Sequence, residues 1–280
     1  MADTHPRIVI VPGWRDSGPA HWQSLWQQAL PQAERVVQDD WLMPRRAEWV
    51  AALEALILSR PEPVVIVAPT CNGGMAIVVG KNTGITTFKG LKDKRIGILP
   101  GSTQEAVFND RLKAEGMTIK DVKSVRVSFS EMASALERGD IDAFVGAEPG
   151  PSISAIRGVG TVLEFPYSTP TGSVNMVMTT HADTVNNNAE LAKVFLEIHR
   201  KASEYAMANR KDLVAMAGAK LGLPADVANL AADNVELTWK IDEDWKTRSQ
   251  YYGSLMLERK QIRKLPDYSK FIVTSLNPKS

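Results

Sequence analysis

An α/β fold with parallel-type sheets and a helical carboxyl-terminal tail is predicted by three features of the 280-residue chain. Short, almost wholly apolar runs alternate with segments of helical spacing, the pattern of strands covered by helices on both faces. The runs are bounded by glycine, proline and asparagine, which punctuate turns. After about residue 180 the strand-like runs stop and the periodic segments are all helical.

Taken in order, RIVIV is a strand, and HWQSLWQQAL is a helix with Trp22, Leu25, Trp26 and Ala29 at helical spacing. ERVVQDD is a second strand, RRAEWVAALEALILSR a second helix through Trp49, Leu53 and Leu56, and PVVIVA a third strand. That makes one βαβαβ unit, with MAIVVG following as a further apolar run. A second unit starts near residue 86 with the strand KRIGILPG, the helix STQEAVFNDRLKAEGM and the strand VKSVRVSF. The helix SEMASALERGD, strand IDAFVGAEPG, short helix PSISAIRGVG and strands TVLEFPY and GSVNMVMTT complete it. The tail contains ELAKVFLEIHRKASEYAMANRKDLVAMAGAKLG, PADVANLAADNVE and DEDWKTRSQYYGSLMLERKQ, all read as helix.

Composition narrows the function classes. A formal net charge of +1 provides no electrostatic footprint for nucleic acid or an anionic membrane. The single cysteine, Cys71, cannot form an internal disulfide and suits either side of a bacterial inner membrane. No run approaches the ~18 apolar residues of a membrane span. MADTHPRIVIVPGW lacks the apolar core of a secretory signal, so the chain as written reads as soluble and not visibly exported.

A seam runs through these averages. The first 80 residues contain no lysine, whereas 17 lysines lie in residues 81–280, and five of the seven tryptophans fall in the first 49 residues. Two segments of separate history are the expectation.

The string IVPGWRDSGPAHWQSLW, within residues 7–68, resembles the start of the small serine hydrolases of α/β-hydrolase fold typified by retinoblastoma-binding protein 9. In that family Gly13 and Trp14 would lie beside an oxyanion hole, and the third strand would run into a nucleophile elbow of the form small-His-Ser-x-Gly. Here that stretch is Ala68-Pro69-Thr70-Cys71-Asn72: threonine stands for serine, and Asn72 replaces the glycine of the bend. An activated nucleophile also needs a histidine base. None of His5, His21, His181 and His199 lies in the late strand-to-helix loop where the resemblance would put it, so no catalytic residue is assigned.

From about residue 65 the chain resembles the solute-binding proteins of bacterial ABC importers, of nitrate, sulfonate and taurine type. The resemblance is carried by VVIVAPTCNGGMAIVVGKNTGITTFKGLKDKRIGILPGSTQEAVF, by ALERGDIDAFVGAEP and by YYGSLMLERKQIRKLPDYSKFI. It implies a two-lobed architecture of the type II periplasmic-binding-protein kind. Residues 1–68 form the hydrolase-like part of lobe 1, residues 69–85 and 172–280 its remainder, and residues 86–171 an inserted lobe 2. It also implies a small anionic or polar solute, an ABC transporter permease as partner if the chain is exported, and a periplasmic location. No cofactor, metal, nucleic acid or membrane insertion is expected.

The candidate ligand residues follow from local chemistry. PGSTQEA sets Gly101 in a tight turn, with Ser102 or Thr103 as N-cap of a helix whose first turn includes Gln104 and Glu105. Free N–H groups and the dipole there favour an anion. Thr70, Cys71 and Asn72 are read as a loop after PVVIVA presenting a hydroxyl, a thiol and an amide, with Gly73 and Gly74 allowing close approach. Glu148 lies at a strand carboxyl end, where open sheets bind ligands. Glu164, Tyr167, Trp14 and Arg15 are secondary candidates. Two other readings stay open: an inactive serine-hydrolase relative, and a chimaera with no working site.

Overall fold

Period-2 and all-apolar runs become strands, and hydroxyl or carboxylate side chains cap several of the helices between them. The computed structural model describes residues 8–11, 19, 22–30, 33–38, 52–53, 56 and 64–278. It divides the chain into two units, one of Met1–Val67, Thr179–Leu196 and Lys270–Ser280, the other of Ala68–Met178 and Glu197–Ser269.

In the first unit β1 (Ile8–Ile10) pairs in parallel with β2 (Ala33–Arg35), Ile8 opposite Ala33. A parallel pair needs a crossover, and α1 (Trp22–Ala29) lies in it. Gln23 Nε2 donates to the Val11 carbonyl at 2.8 Å, and Arg35 donates to Ser24 Oγ and Gln27 Oε1 at 3.2 and 3.1 Å. These side chains fasten the helix beside both strands. The described residues of the expected second helix, 52–53 and 56, are helical. The Ile66 carbonyl accepts from Val273 N at 2.8 Å across a parallel bridge between Ile66 and Ile272.

β3 (Val64–Gly73) runs on from there without a bend, and β4 (Met75–Gly80) follows after one residue. The second unit then adds β5 (Arg95–Ile98), α2 (Thr103–Ala114), β6 (Lys123–Arg126), α3 (Met132–Glu137), β7 (Ala143–Ala147), α4 (Gly150–Ile156) and β8 (Gly160–Glu164). These strands form one sheet of order β6-β5-β7-β4-β8. β5 is parallel to β6 and β7, as the helical connections require, whereas β4 is antiparallel to β7 and β8. The sheet is therefore mixed, not parallel throughout. The sequence groups residues 69–85 with the first lobe, yet Met75–Gly80 stands between β7 and β8. An all-apolar run records burial on both faces and says nothing of direction or sheet.

Burial on β4 shows both faces at work. Ile77 and Val79 pack with Leu91, Ile96, Ile98, Phe108, Leu112 and Val145 on one side. Ala76 and Val78 pack with Val127, Met132, Leu136, Ile141 and Phe144 on the other. Successive side chains of a strand point to opposite faces, so one strand serves two cores.

The remaining elements are β9 (Val174–His181), α5 (Ala182–Asn187), α6 (Ala189–Ala208), α7 (Arg210–Leu221), α8 (Ala225–Asn234), β10 (Val235–Leu237), α9 (Glu243–Glu258) and α10 (Tyr268–Phe271). β3 is the middle strand of a second sheet of order β10-β3-β9. The sequence reads Val235 and Glu236 as the end of a helix. The structure stops α8 at Asn234 and pairs Val235, Glu236 and Leu237 antiparallel with Gly73, Asn72 and Cys71.

Phe144 has no exposed surface and packs in the second core. Phe144→Ala is expected to destabilise the second unit by about 3–5 kcal/mol, read as a lower urea midpoint with an unchanged slope.

Candidate functional site

Three chain segments converge where β3 passes into β4. Gly73 and Gly74 both take positive φ, 73° and 72°, a conformation that costs other residues a steric penalty. A Cβ on Gly73 would lie 2.6 Å from the Asn234 carbonyl oxygen, and one on Gly74 2.9 Å from Val235 Cγ2. Gly73 N donates to Ser173 O at 2.7 Å and Gly74 N to Asn234 O at 2.6 Å. Their carbonyls accept from Asn175 Nδ2 and Glu148 N, both at 2.7 Å. Tyr167 Oη holds the next residue, accepting from Met75 N at 3.0 Å and donating to Met75 O at 3.1 Å.

Beside this crossing lies a cleft of about 280 Å³, towards the small end of ligand cavities. Asn72 and Tyr167 line it, with Gly172 and Ser173 from the loop before β9, Glu236 on β10, and Lys240, Trp245 and Arg248 around the start of α9. Trp245 and Arg248 are three residues apart on α9, so its first turns put both on this side. Asp242 caps that helix, its carboxylate accepting from Trp245 N at 2.8 Å. Arg248 is held by Asp244, Nε to Oδ2 at 2.6 Å. A Cβ on Gly172 would land within the Arg248 guanidinium, so glycine at 172 makes room for that cation.

Two cleft-lining side chains carry buried polar atoms without a hydrogen-bond partner among the described residues: Asn72 Oδ1 and Trp245 Nε1. Trp245 is 4% exposed. Asn72 Nδ2 donates to Glu236 Oε2 at 3.2 Å. Burial pushes the Tyr167 phenol up, so it stays protonated.

Of the residues singled out in the sequence, Asn72 and Tyr167 line the cleft. Thr70, Cys71 and Asn72 lie inside β3 rather than in a loop, and the Thr70 carbonyl accepts from Thr238 N at 3.2 Å. Ser102 caps α2: its Oγ accepts from Glu105 N at 3.1 Å and donates to Leu99 O at 2.7 Å. Glu105 accepts from Gly101 N at 2.6 Å and pairs with Arg259 at 2.9 Å, so a carboxylate of the fold already occupies that helix start. Thr103 Oγ1 is 3.5 Å from Tyr252 Oη, and Gln104 is buried. The neighbouring Tyr251 hydroxyl is pushed up to about 12 by burial and by its hydrogen bond to Asp110.

Glu148 accepts from Asn234 Nδ2 at 2.6 Å and Ser152 N at 3.2 Å, and Glu164 takes Arg111 at 2.6 and 3.1 Å. These two carboxylates hold the fold together. None of Ser102, Thr103, Gln104 and Glu148 is among the cleft-lining residues. Trp14 and Arg15 lie outside the described residues.

Sequence reasoning missed Ser173, Glu236, Lys240, Trp245 and Arg248. One signal was available. Trp239 and Trp245, the two tryptophans beyond residue 49, sit amid charged residues in a segment read only as tail. Among the described residues no group of His, Cys, Asp and Glu side chains is arranged to hold a metal, and no helix is long and apolar enough to cross a membrane.

The family described as NMT1/THI5 like matches residues 53–212, more than half of the chain. The chain belongs to that family. A second family, described as serine hydrolase, matches residues 8–83, so the two overlap on residues 53–83. A putative aliphatic sulfonates-binding protein of Bacillus subtilis is 29% identical over 126 residues, 45% of this chain and 38% of its own length. Its namesake in Escherichia coli is 23% identical over 152 residues, 54% of this chain and 47% of its own. The chain thus matches less than half the length of either curated relative. In three dimensions it is similar to the periplasmic aliphatic sulphonate binding protein SsuA from Escherichia coli, with a TM-score of 0.69 at 18% identity over 99% of this chain and 94% of that one. The fold is that of the type II periplasmic binding proteins.

Burial pushes the Cys71 thiol up, against a hydrogen bond from the Met176 backbone that lowers it. The folded protein is expected to react with a thiol reagent at pH 8 at least about tenfold more slowly than the urea-unfolded chain. The sign for stability follows from proton linkage. The contribution is complete below the ordinary thiol range and is lost as pH rises towards the folded value, because the unfolded chain releases its proton first. Cys71→Ala is expected to remove that alkaline loss, measured by urea unfolding across the range.

Proposed function

We propose that this protein is the solute-binding component of an ABC importer and that it captures a small sulfonate-class solute in the cleft beside Gly73 and Gly74. One observation carries the reading: Arg248, fixed by Asp244 and given room by Gly172, faces a metabolite-sized cleft with Asn72, Ser173 and Lys240. A guanidinium supplies a planar set of donors suited to an oxyanion. The names of the curated relatives supply the solute class, and family membership supports a role in binding. An ABC permease is the proposed partner and the periplasm the proposed location. Of the seven primary sequence candidates, Asn72 is the one we carry into this site.

The match to serine hydrolases over residues 8–83 favours a second reading, hydrolysis by a nucleophile near residue 70. Against it, Thr70, Cys71 and Asn72 are extended within β3, and burial keeps the Cys71 thiol protonated. A nucleophile elbow needs a sharp turn that exposes its hydroxyl or thiol.

The two readings separate in solution. A small sulfonate at 100 times its dissociation constant is expected to stabilise the protein by about 2.7 kcal/mol, seen as a rise of several degrees in Tm, with no labelling by a fluorophosphonate probe. Gly172→Ala displaces the Arg248 guanidinium and is expected to weaken sulfonate binding by about tenfold or more, measured by calorimetry. Covalent labelling at Thr70 or Cys71, or a full sulfonate response in Gly172→Ala, would overturn the binding proposal.

A further inference from the structure

We infer that Glu236 sets the charge selectivity of the cleft, its carboxylate turning away doubly charged oxyanions while singly charged ones bind; the inference rests on the site proposed above. The ionised groups of the lining are not equivalent. Asp242 is used as the cap of α9, accepting from Trp245 N at 2.8 Å, and Asp244 is paired with Arg248 at 2.6 Å. Lys240 Nζ lies 5.6 Å from the centre of the Trp239 ring, a contact that holds the cation without neutralising it. Glu236 is left. Among the described residues its carboxylate takes one hydrogen bond, from the Asn72 amide at 3.2 Å, and no cation pairs with it.

Strand register explains its place. Glu236 on β10 stands directly opposite Asn72 on β3, and residues opposite one another across an antiparallel pair put their side chains on the same face. Both line the cleft. An uncompensated carboxylate beside Asn72, Ser173, Lys240 and Arg248 strengthens the grip on no anion, but it separates anions by charge. A tetrahedral head of the same size meets the same donors whether it carries one charge or two, whereas its repulsion from Glu236 doubles with its charge. The doubled attraction to Arg248 is offset by Asp244, already bound to that guanidinium. Discrimination of this kind needs a repulsive element as well as attractive ones, and Glu236 supplies it.

Calorimetric titration of the whole protein at pH 7 with methanesulfonate and with sulfate tests this on one head group, since a methyl in the first is a charged oxygen in the second. The unmodified protein is expected to bind methanesulfonate more tightly, by at least about tenfold at low ionic strength. That ratio is expected to fall towards unity as salt is added, because Glu236 is exposed and its charge is screened. Glu236→Gln keeps an acceptor for the Asn72 amide and is expected to shift the ratio of the two dissociation constants by about tenfold in favour of sulfate. A purely structural role for Glu236 would move both constants together. An unchanged ratio in Glu236→Gln would therefore overturn the inference and leave the binding proposal standing. Sulfate binding as tightly as methanesulfonate to the unmodified protein, or a ratio indifferent to salt, would do the same, and these two measurements decide the matter even if the variant fails to fold. Heat from neither anion would overturn the binding proposal along with the inference.

Discussion

Two consecutive left-handed glycines govern the second unit. At Gly73 and Gly74 the chain leaves β3 and enters β4 while the Asn234 carbonyl and the side chains of Val235 and Tyr167 press against it. All four backbone polar groups of the pair are hydrogen bonded, to Ser173, Asn234, Asn175 and Glu148. No residue with a Cβ fits this crossing, because the free space is already filled by carbonyl and side-chain atoms. On one side of it lies the apolar β4, with a core on each face, and on the other Asn72, which lines the cleft. A packed core and the lining of the cleft thus meet at the same two residues.

The polar groups with ligand-like chemistry divide according to whether the fold has already used them. Ser102, Glu105, Glu148 and Glu164 have the chemistry expected of ligand residues, and each is committed to a cap, a backbone amide or an arginine. The Ser102 hydroxyl gives its one proton to the Leu99 carbonyl and so has none left to donate to an anionic solute. Asn72 and Trp245 retain unpaired atoms where burial makes that costly. Such atoms make sense where a ligand is to supply the missing partner.

Most of the elements were legible in the sequence because period and turn chemistry are local. The helix from Thr103 with its serine cap, the strand over Arg95–Ile98 and the short helix after Pro149 all stand where spacing put them. The direction of β4 was not legible, since an apolar strand buried on both faces reads the same either way. Nor was β10: three residues after a helix carry no periodic signal, and only their partner strand defines them. Of the cleft lining, Asn72 and Tyr167 were legible. Asn72 was picked for its amide in a presumed loop after PVVIVA, whereas Glu236 and Arg248, more than 160 residues away in sequence, reach it through tertiary pairing.

The overlap of two families on residues 53–83 has a physical reading. Both resemblances call for a buried apolar strand there, and Val65, Ile66, Val67 and Ala68 meet that demand for either. What separates them is where the chain is free to turn. An elbow needs glycine close behind its nucleophile, and here asparagine occupies 72 while the glycines stand at 73 and 74. Delaying the turn keeps Thr70, Cys71 and Asn72 extended and paired, so their side chains alternate between faces as in any strand. The asparagine that takes the glycine's place is the residue whose amide reaches the cleft. The change that removes a nucleophile's bend is therefore the same change that supplies a group able to hold a solute.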